Sequence, residues 1–341
     1  MVEPRGSEEE LAQVKDLLGS FSTDFSTSSA GRAKNVTNGC SKINGTILYP
    51  GEQFDMAATV SPFTQENGYE LAGAYQNGTT VESFGGGICQ VATTLYNAVI
   101  RAELEITMRF NHSMLVSYVQ PSMDAAIAGD YKDLRFKNNL DAPVYIEGYC
   151  SGGVIYFNVY GKETRPANRE ISFESETVST TDPETKFNLD SSLAIGYWSV
   201  DQSAHTGCVA QLWKIVKVDG EQQSRDLFNK SNYQASPKII TIGTKGANKE
   251  TLAALKEAVA TGDEAKVRSA ASSLKTDEES KKEEEDKKDQ ENTSDSDDKK
   301  NDNKKDDSKK DDSSDENKSD NKADNKSDNT SSKSDSEESS N

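Results

Sequence analysis

Apolar residues fall at helical spacing in several stretches of the chain. Ala33, Val36, Cys40 and Ile43 mark one face of a predicted helix, which Asn44-Gly45 stops. Val91, Leu95, Ala98, Val99 and Ala102 mark a second, whose N-terminus falls at or just before Cys89. EEELAQVKDLL (8–18) reads as the end of a helix, and the following GSFSTDFSTSSAG as a polar connector. In other stretches the period is two. Leu104, Ile106, Met108 and Phe110 alternate with polar partners, and Met114, Val116 and Tyr118 keep that parity beyond a kink at Asn111. VYIEGY and VIYFNVYG flank CSGG as a hairpin, TILYPGEQFD reads as strand, turn and strand, and residues 60–84 read as a long loop.

After the polar linker KETRPANRE, the runs FESETVS, GCVAQLWKIVKVDG and KIITIGTK alternate with turn signals and show no helical period. Residues 247–275 form two predicted short helices joined at Thr261-Gly262-Asp263. The fold class expected is α+β. A domain with a central helix packed on an antiparallel sheet is followed by a small all-β module, a short helical segment and a disordered acidic tail. The expected boundaries are 1–30 for the end of a preceding helix and its connector, 31–163 for the α+β domain, 164–246 for the β-module, 247–275 for the helical segment and 276–341 for the tail.

Charge sharpens the picture at the C-terminus. Residues 276–341 carry 25 acidic and 14 basic side chains and no aromatic or large aliphatic residue, so they cannot build a core. They account for −11 of the chain's net −19. The remaining part is moderately acidic and has no basic stripe, which argues against nucleic acid as a partner. No stretch approaches the roughly 18–20 apolar residues of a membrane span, and MVEPRGSEEELAQ lacks the apolar core of a signal peptide. Taken literally, that places the chain in the cytosol. The four cysteines, Cys40, Cys89, Cys150 and Cys208, form no CxxC pair, which argues against a zinc ribbon and leaves a disulfide among Cys40, Cys150 and Cys208 open.

Candidate chemistry centres on GGGICQ (85–90). A cysteine at a helix N-terminus ionises more readily, and glycines before it let the backbone approach a ligand closely. A thiolate nucleophile needs a base oriented by a third group, and the order Cys89, His112, Asp124 offers one. That order resembles the layout of transglutaminase-like and papain-like thiol hydrolases. In this reading Cys89 is the nucleophile, His112 the general base and then acid, and Asp124 the orienting group. Backbone N–H groups from Gly87 to Gln90 stabilise an oxyanion, Gly86 and Gly87 line the substrate cleft, Gln90 adds a side-chain donor, and Arg109 and Tyr118 bind a substrate carboxylate or amide. The plainer readings stand beside it: Cys89 as core packing, His112 as a core or surface histidine, Asp124 as a cap or turn, His205 as a surface residue. No spacing such as HxxxH or CxxC accompanies the cluster, so neither a metal nor a cofactor is expected.

RAKNV, INGTILYPGEQF, TQENGYELA, GGGICQVATTLYNAV, RFNHS, SYVQP, MDAAI and DLRFKNN, in that order, resemble the VanW family of bacterial cell-envelope proteins from about Gly31 to Gly161. Ser122 and Ala126 stand where that family usually carries glycine and threonine around the DA pair. Ile171 to Lys245, ending in SPKIITIGTK, is similar to the G-five domain, a β-rich module of wall-associated proteins. VanW-like proteins are associated with glycopeptide-resistance clusters. The resemblance implies the envelope or outer surface of a Gram-positive bacterium, which overrides the cytosolic reading. It implies peptidoglycan or another cell-wall polymer as partner, and membrane contact only through a segment preceding this chain. The functional expectation is a thiol amidase or acyltransferase on stem peptides; the alternatives are a non-catalytic wall-binding or adhesion module and a structural spacer.

Overall fold

A computed structural model describes residues 6–294 except 77, 78 and 130. A short helix α1 (Glu8–Leu11), closed by a capping box between Ser7 and Glu10, precedes strand β1 (Asp16–Asp24). Helix α2 (Ala30–Ile43) starts where the Ser29 side chain accepts the Arg32 amide. Then come β2 (Thr46–Leu48), β3 (Gln53–Asp55), α3 (Met56–Val60), the hairpin β4 (Leu71–Gln76) and β5 (Thr79–Phe84), and α4 (Ile88–Arg101). Strands β6 (Glu105–Met108) and β7 (Arg135–Lys137) and the hairpin β8 (Val144–Ser151) and β9 (Val154–Gly161) complete the first region.

Its main sheet is antiparallel with order β1-β9-β8-β2, and α2 and α4 both pack on it. A smaller sheet, β3-β7-β6, carries the stacked rings of Phe54 and Phe136. Apart from its second and last residues, Cys89 and Arg101, α4 is buried throughout, because ICQVATTLYNAVI is apolar or small on every side. Its polar members are satisfied internally: Thr94 Oγ1 donates to the Gln90 carbonyl, and Gln90 Nε2 donates to Thr23 Oγ1 and the Asp24 carbonyl.

Three sequence expectations change. Residues 16–24, expected as helix end and connector, form β1, the edge of the main sheet paired with β9, so this stretch is part of the same fold. DLLGSFSTD alternates buried and exposed positions beyond a bulge at Leu17/Gly19, a period that only the neighbouring strand makes visible. Residues 60–84, expected as loop, include the end of α3 and the β4-β5 hairpin. The strand expected to continue to Tyr118 stops at Met108, and no named strand occurs between it and β7.

The second region holds β10 (Arg169–Thr181), β11 (Thr185–Ala194), β12 (Trp198–Gln202), β13 (Gly207–Val218), β14 (Glu221–Tyr233) and β15 (Lys238–Lys245). One sheet, β10-β13-β14, is antiparallel; the other, β11-β15-β12, pairs β11 parallel to β15. Helices α5 (Lys249–Ala260) and α6 (Glu264–Ser272) bring Leu255, Val267 and Ala271 onto Ile240 and Ile242 of β15, which forms a second core. The α+β class, with an all-β region and a helical segment after the first domain, therefore stands. Helix α7 (Asp277–Ser294) occupies the start of the stretch expected as a disordered tail, and the rest of that stretch lies outside the described residues. Among the described residues the chain divides into two units, with the boundary between Glu283 and Glu284.

Helix α4 lies directly on β1 at Gly19, where an added Cβ would sit 2.4 Å from both the Ala98 carbonyl oxygen and the Ala102 nitrogen. Backbone cannot yield there as a flexible side chain can. Gly19→Ala is expected to cost about 1–3 kcal/mol of stability, read as a lowered urea midpoint at unchanged slope.

Candidate active site

The glycine run and α4 place Cys89. Gly87 caps the helix at φ 111°, a backbone conformation that L side chains rarely adopt. A Cβ on Gly86 would meet the Ala72 carbonyl oxygen at 2.6 Å, so the turn packs backbone to backbone against β4. Asn35 of α2 fastens it, donating to the carbonyls of Glu70 (2.9 Å) and Gly86 (3.0 Å) while accepting the Glu70 amide (2.7 Å).

One face of α4 then grips an irregular segment. Cys89 Sγ lies 3.4 Å from both the N and O of Ile127, Thr93 Oγ1 bonds both the N (2.9 Å) and O (3.1 Å) of Ala125, and Asn97 Nδ2 donates to the Met123 carbonyl (2.7 Å). Steps of four on the helix match steps of two on the segment because four helical residues rise about 6 Å and two extended residues span about 6.6 Å. Residues 123–127 therefore run antiparallel to the helix, with Ile127 level with Cys89 and Asp124 between the levels of Thr93 and Asn97.

Asp124 is fully buried, and donors meet both its oxygens. Oδ2 accepts from the His112 backbone N–H (2.7 Å) and lies 2.6 Å from His112 Nδ1. Oδ1 accepts from Arg109 Nη2 (2.9 Å) and the Tyr233 hydroxyl (2.5 Å). An ionised carboxylate only accepts, so Nδ1 of His112 carries the proton, while Nε2 lies 3.5 Å from the Tyr118 hydroxyl. Burial pushes the Asp124 carboxyl up, but His112 and Arg109 outweigh it and hold it below the usual range.

The thiol and imidazole form a pair. Burial opposes charge on His112, yet Cys89 and Asp124 together raise it to about 9. Burial likewise opposes the Cys89 thiolate, and the charge and hydrogen bond of His112 with the Ile127 amide bring its pKa below the ordinary value. Burial pushes the nearby Tyr118 phenol well up, so it stays a neutral hydroxyl, 3.5 Å from His112 Nε2. Cys89, His112 and Asp124 thus lie in one cluster, with Asp124 bonded to His112 and the imidazole and thiol each shifting the other.

Comparison with known proteins finds two family matches. Residues 31–160 match the family model described as VanW like protein, and residues 173–245 match that of the G5 domain. The chain carries a VanW-like domain followed by a G5 domain. It is 34% identical over 161 residues to the uncharacterized protein YoaR of Bacillus subtilis (strain 168), covering 47% of this chain and 53% of YoaR. It is 25% identical over 118 residues to the vancomycin B-type resistance protein VanW of Enterococcus faecalis (strain ATCC 700802 / V583), covering 33% of this chain and 42% of that protein. The chain thus spans about half the length of the curated relatives it matches. Among solved structures it is similar to the IgA1 protease G5 domain (28% identity, TM-score 0.18, 23% of this chain and 93% of that one) and to HP0197-G5 (20%, 0.14, 22% and 99%).

Within the VanW-like domain several expected roles change. The Gln90 side chain is buried and spent on Thr23 and Asp24, so it cannot serve a substrate. Gly86 is buried under β4, which makes it a structural element of the turn, while Gly87 caps α4. Arg109, whose side chain is 7% exposed, bonds the Asp124 and Ser122 carbonyls, the Asp124 carboxylate and Ser231, so it anchors Asp124 instead of meeting a substrate. Tyr118 does sit at the site, beside His112. The amides of Ile88 and Gln90 bond the carbonyls of Gly85 and Gly87, so those two of the four amides expected to meet an oxyanion are already engaged.

Some contributors lay outside the sequence expectations: Thr93, Asn97 and Asn35, and from the G5 domain Asn229, Ser231 and Tyr233. The last three recur at every second position of β14, a polar period-two pattern readable as one strand face. Among the described residues no group of three His, Cys, Asp or Glu side chains is placed to hold a metal ion, and no helix is long and apolar enough to cross a membrane. His205 bridges to Ser236 within the G5 region. Two cavities of about 510 and 520 Å³ lie elsewhere, both lined by Leu18, Glu163, Arg165 and Arg169 among others.

All four cysteines are free thiols. A hydrogen bond from Cys40 lowers Cys150 to about 7, so Cys150 is a second labelling site, whereas buried Cys40 is pushed up. In a Cys150→Ser background, iodoacetamide is expected to label Cys89 well below pH 8 and ahead of Cys40 and Cys208, and His112→Ala to slow that labelling about tenfold or more at pH 7, one pKa unit of the thiol or greater. Peptide mapping by mass spectrometry reads both; equal, slow labelling of all three thiols would contradict the assignment.

Proposed function

We propose that the VanW-like domain is a thiol-dependent acyl-transfer enzyme of the cell envelope, acting on amide bonds of peptidoglycan stem peptides, and that the G5 domain holds wall polymer. One observation supports the catalytic reading above all: His112 Nδ1 lies 2.6 Å from a buried carboxylate while its ring pairs with the Cys89 thiol at the start of α4. A cysteine serving only as packing has no use for an oriented imidazole. The wall-associated location rests on the VanW-like and G5 matches.

The chemistry follows from the positions. The Cys89 thiolate attacks the carbonyl carbon of the scissile amide, a C–S bond forms, and the oxygen takes the negative charge next to the Cys89 amide at the helix terminus. His112, already protonated, gives its Nε2 proton to the departing amine as the C–N bond breaks, leaving a thioester. Water or an acceptor amine then attacks the thioester carbonyl and loses a proton to His112. The C–S bond breaks, the thiolate returns, and the product is a free acid or a new amide. Asp124 keeps Nδ1 protonated throughout and stabilises the imidazolium. Arg109 keeps Asp124 ionised.

The pH dependence has a defined sign. The Cys89 pKa is lowered, so thiolate persists as pH falls below its ordinary value. The His112 pKa is raised to about 9, so the proton for the leaving amine is lost as pH rises through that value. Release of amine from purified peptidoglycan or synthetic stem peptide should therefore decline on the alkaline side with a midpoint near the His112 value. Cys89→Ser should abolish release while leaving retention on peptidoglycan intact. Full retention with no release by the parent protein under any of these conditions would favour a binding module, and no saturable retention a spacer.

Asp124→Asn tests the orienting role separately. It keeps the shape but removes the charge that raises His112, so the alkaline midpoint should fall toward the ordinary histidine range and the rate should drop by about 10²-fold or more, within the span usual for losing general acid–base catalysis. An unchanged profile would remove Asp124 from the mechanism.

A further inference from the structure

We propose that the G5 domain is a working part of the catalytic site, with Tyr233 as a positioning residue whose hydroxyl holds Asp124 against His112. This rests on the acyl-transfer reading of the Cys89 site and extends it across the domain boundary.

The Tyr233 hydroxyl makes two bonds at once. It donates to Asp124 Oδ1 (2.5 Å) and accepts the Ser122 backbone N–H (2.6 Å), so one atom fixes both the carboxylate and the chain that presents it. Ser122 needs such holding. It has φ 67°, in the left-handed region that a non-glycine residue occupies only when its surroundings over-determine it. Its carbonyl accepts from Arg109 Nη2 (3.2 Å) and from Asn229 Nδ2 (3.3 Å).

The rest of the same strand face repeats the pattern. Ser231 accepts from Arg109 Nη1 (3.0 Å), and Asn229 donates to the Tyr96 hydroxyl on α4 (2.7 Å). At the end of β14 the chain also clamps His112 from both sides: Asn111 Nδ2 donates to the Asn232 carbonyl (2.9 Å) and the Gln234 amide to the Ser113 carbonyl (2.7 Å). Tyr233 and Ser231 are both buried. A module serving only as a wall tether has no reason to bury hydroxyls against a carboxylate of its neighbour and that carboxylate's arginine, since each exchanges water for fixed partners.

The consequence can be measured at the sulfur. Without the Tyr233 hydroxyl, the segment Ser122–Asp124 loses two of its restraints and the carboxylate drifts from Nδ1. The imidazolium weakens, and the thiolate it stabilises becomes scarcer at neutral pH.

The experiment uses the full chain with Cys150→Ser and compares it with added Tyr233→Phe or Ser231→Ala. Cys89 alkylation by iodoacetamide is followed from pH 5 to 10 together with thermal unfolding and Cys40 labelling. Tyr233→Phe is expected to move the acid limb of the profile upward and slow labelling at pH 7 about tenfold, one pKa unit of the thiol, with Cys40 still protected. Ser231→Ala should move it the same way by less. A role in stability alone would lower the melting temperature and leave the profile in place. Profiles of both variants superimposed on the parent overturn the proposal. If Tyr233→Phe exposes Cys40 through unfolding, the Ser231→Ala profile decides. Failure of the parent itself to label Cys89 below pH 8 would instead overturn the acyl-transfer reading.

Discussion

A single buried carboxylate organises the first half of this chain. Asp124 has lost its water and is surrounded by donors from three directions: the backbone and ring of His112, the guanidinium of Arg109 and the phenol of Tyr233. A charge without water is stable only if its partners are fixed, since the cost of leaving one unpaired is several kcal/mol. Each donor must therefore be held from behind. That requirement explains why Arg109 bonds Ser122 and Ser231 and why α4 grips residues 123–127 along its length.

The helix serves two purposes at once. Its dipole favours a thiolate at one end, while its polar side chains at four-residue steps fasten the segment that brings Asp124 alongside. This dual use accounts for a central helix that is buried on every side yet contains Gln90, Thr93, Thr94 and Asn97. Thr93 and Asn97 fasten that segment, Gln90 and Thr94 bond β1 at Thr23 and Asp24, and the apolar positions between them fill the core against β1 and β9.

The two family matches describe separate modules, whereas the hydrogen bonds describe one site. Polar side chains at alternate positions of β14 end within the VanW-like domain, and an ion-pair cluster adds to the junction where Glu103 pairs with Arg169 and with Lys214. A junction built from directional bonds fixes geometry more tightly than one built from apolar contact, because each bond is lost if the domains slide by an ångström or two. The positive φ of Ser122 fits the same account: a non-glycine residue is kept in that conformation by bonds from both domains.

Much of this was legible along the chain. The periods of α2, α4 and the β8-β9 hairpin, the β-rich second region, the α5-α6 pair and the three residues Cys89, His112 and Asp124 all rest on local spacing or on residue chemistry, which sequence carries directly. What only the tertiary structure decided is where long-range partners lie. Strand β1 reads as connector because its alternation has meaning only beside β9, and Gln90 and Arg109 read as substrate ligands because their donors are chemically able to be so. Thr23, Asp24, Ser122 and Ser231 claim those donors first, and they come from distant parts of the chain. A hydrogen-bonding group announces its capacity in the sequence, but which partner satisfies it depends on what folding brings within 3 Å.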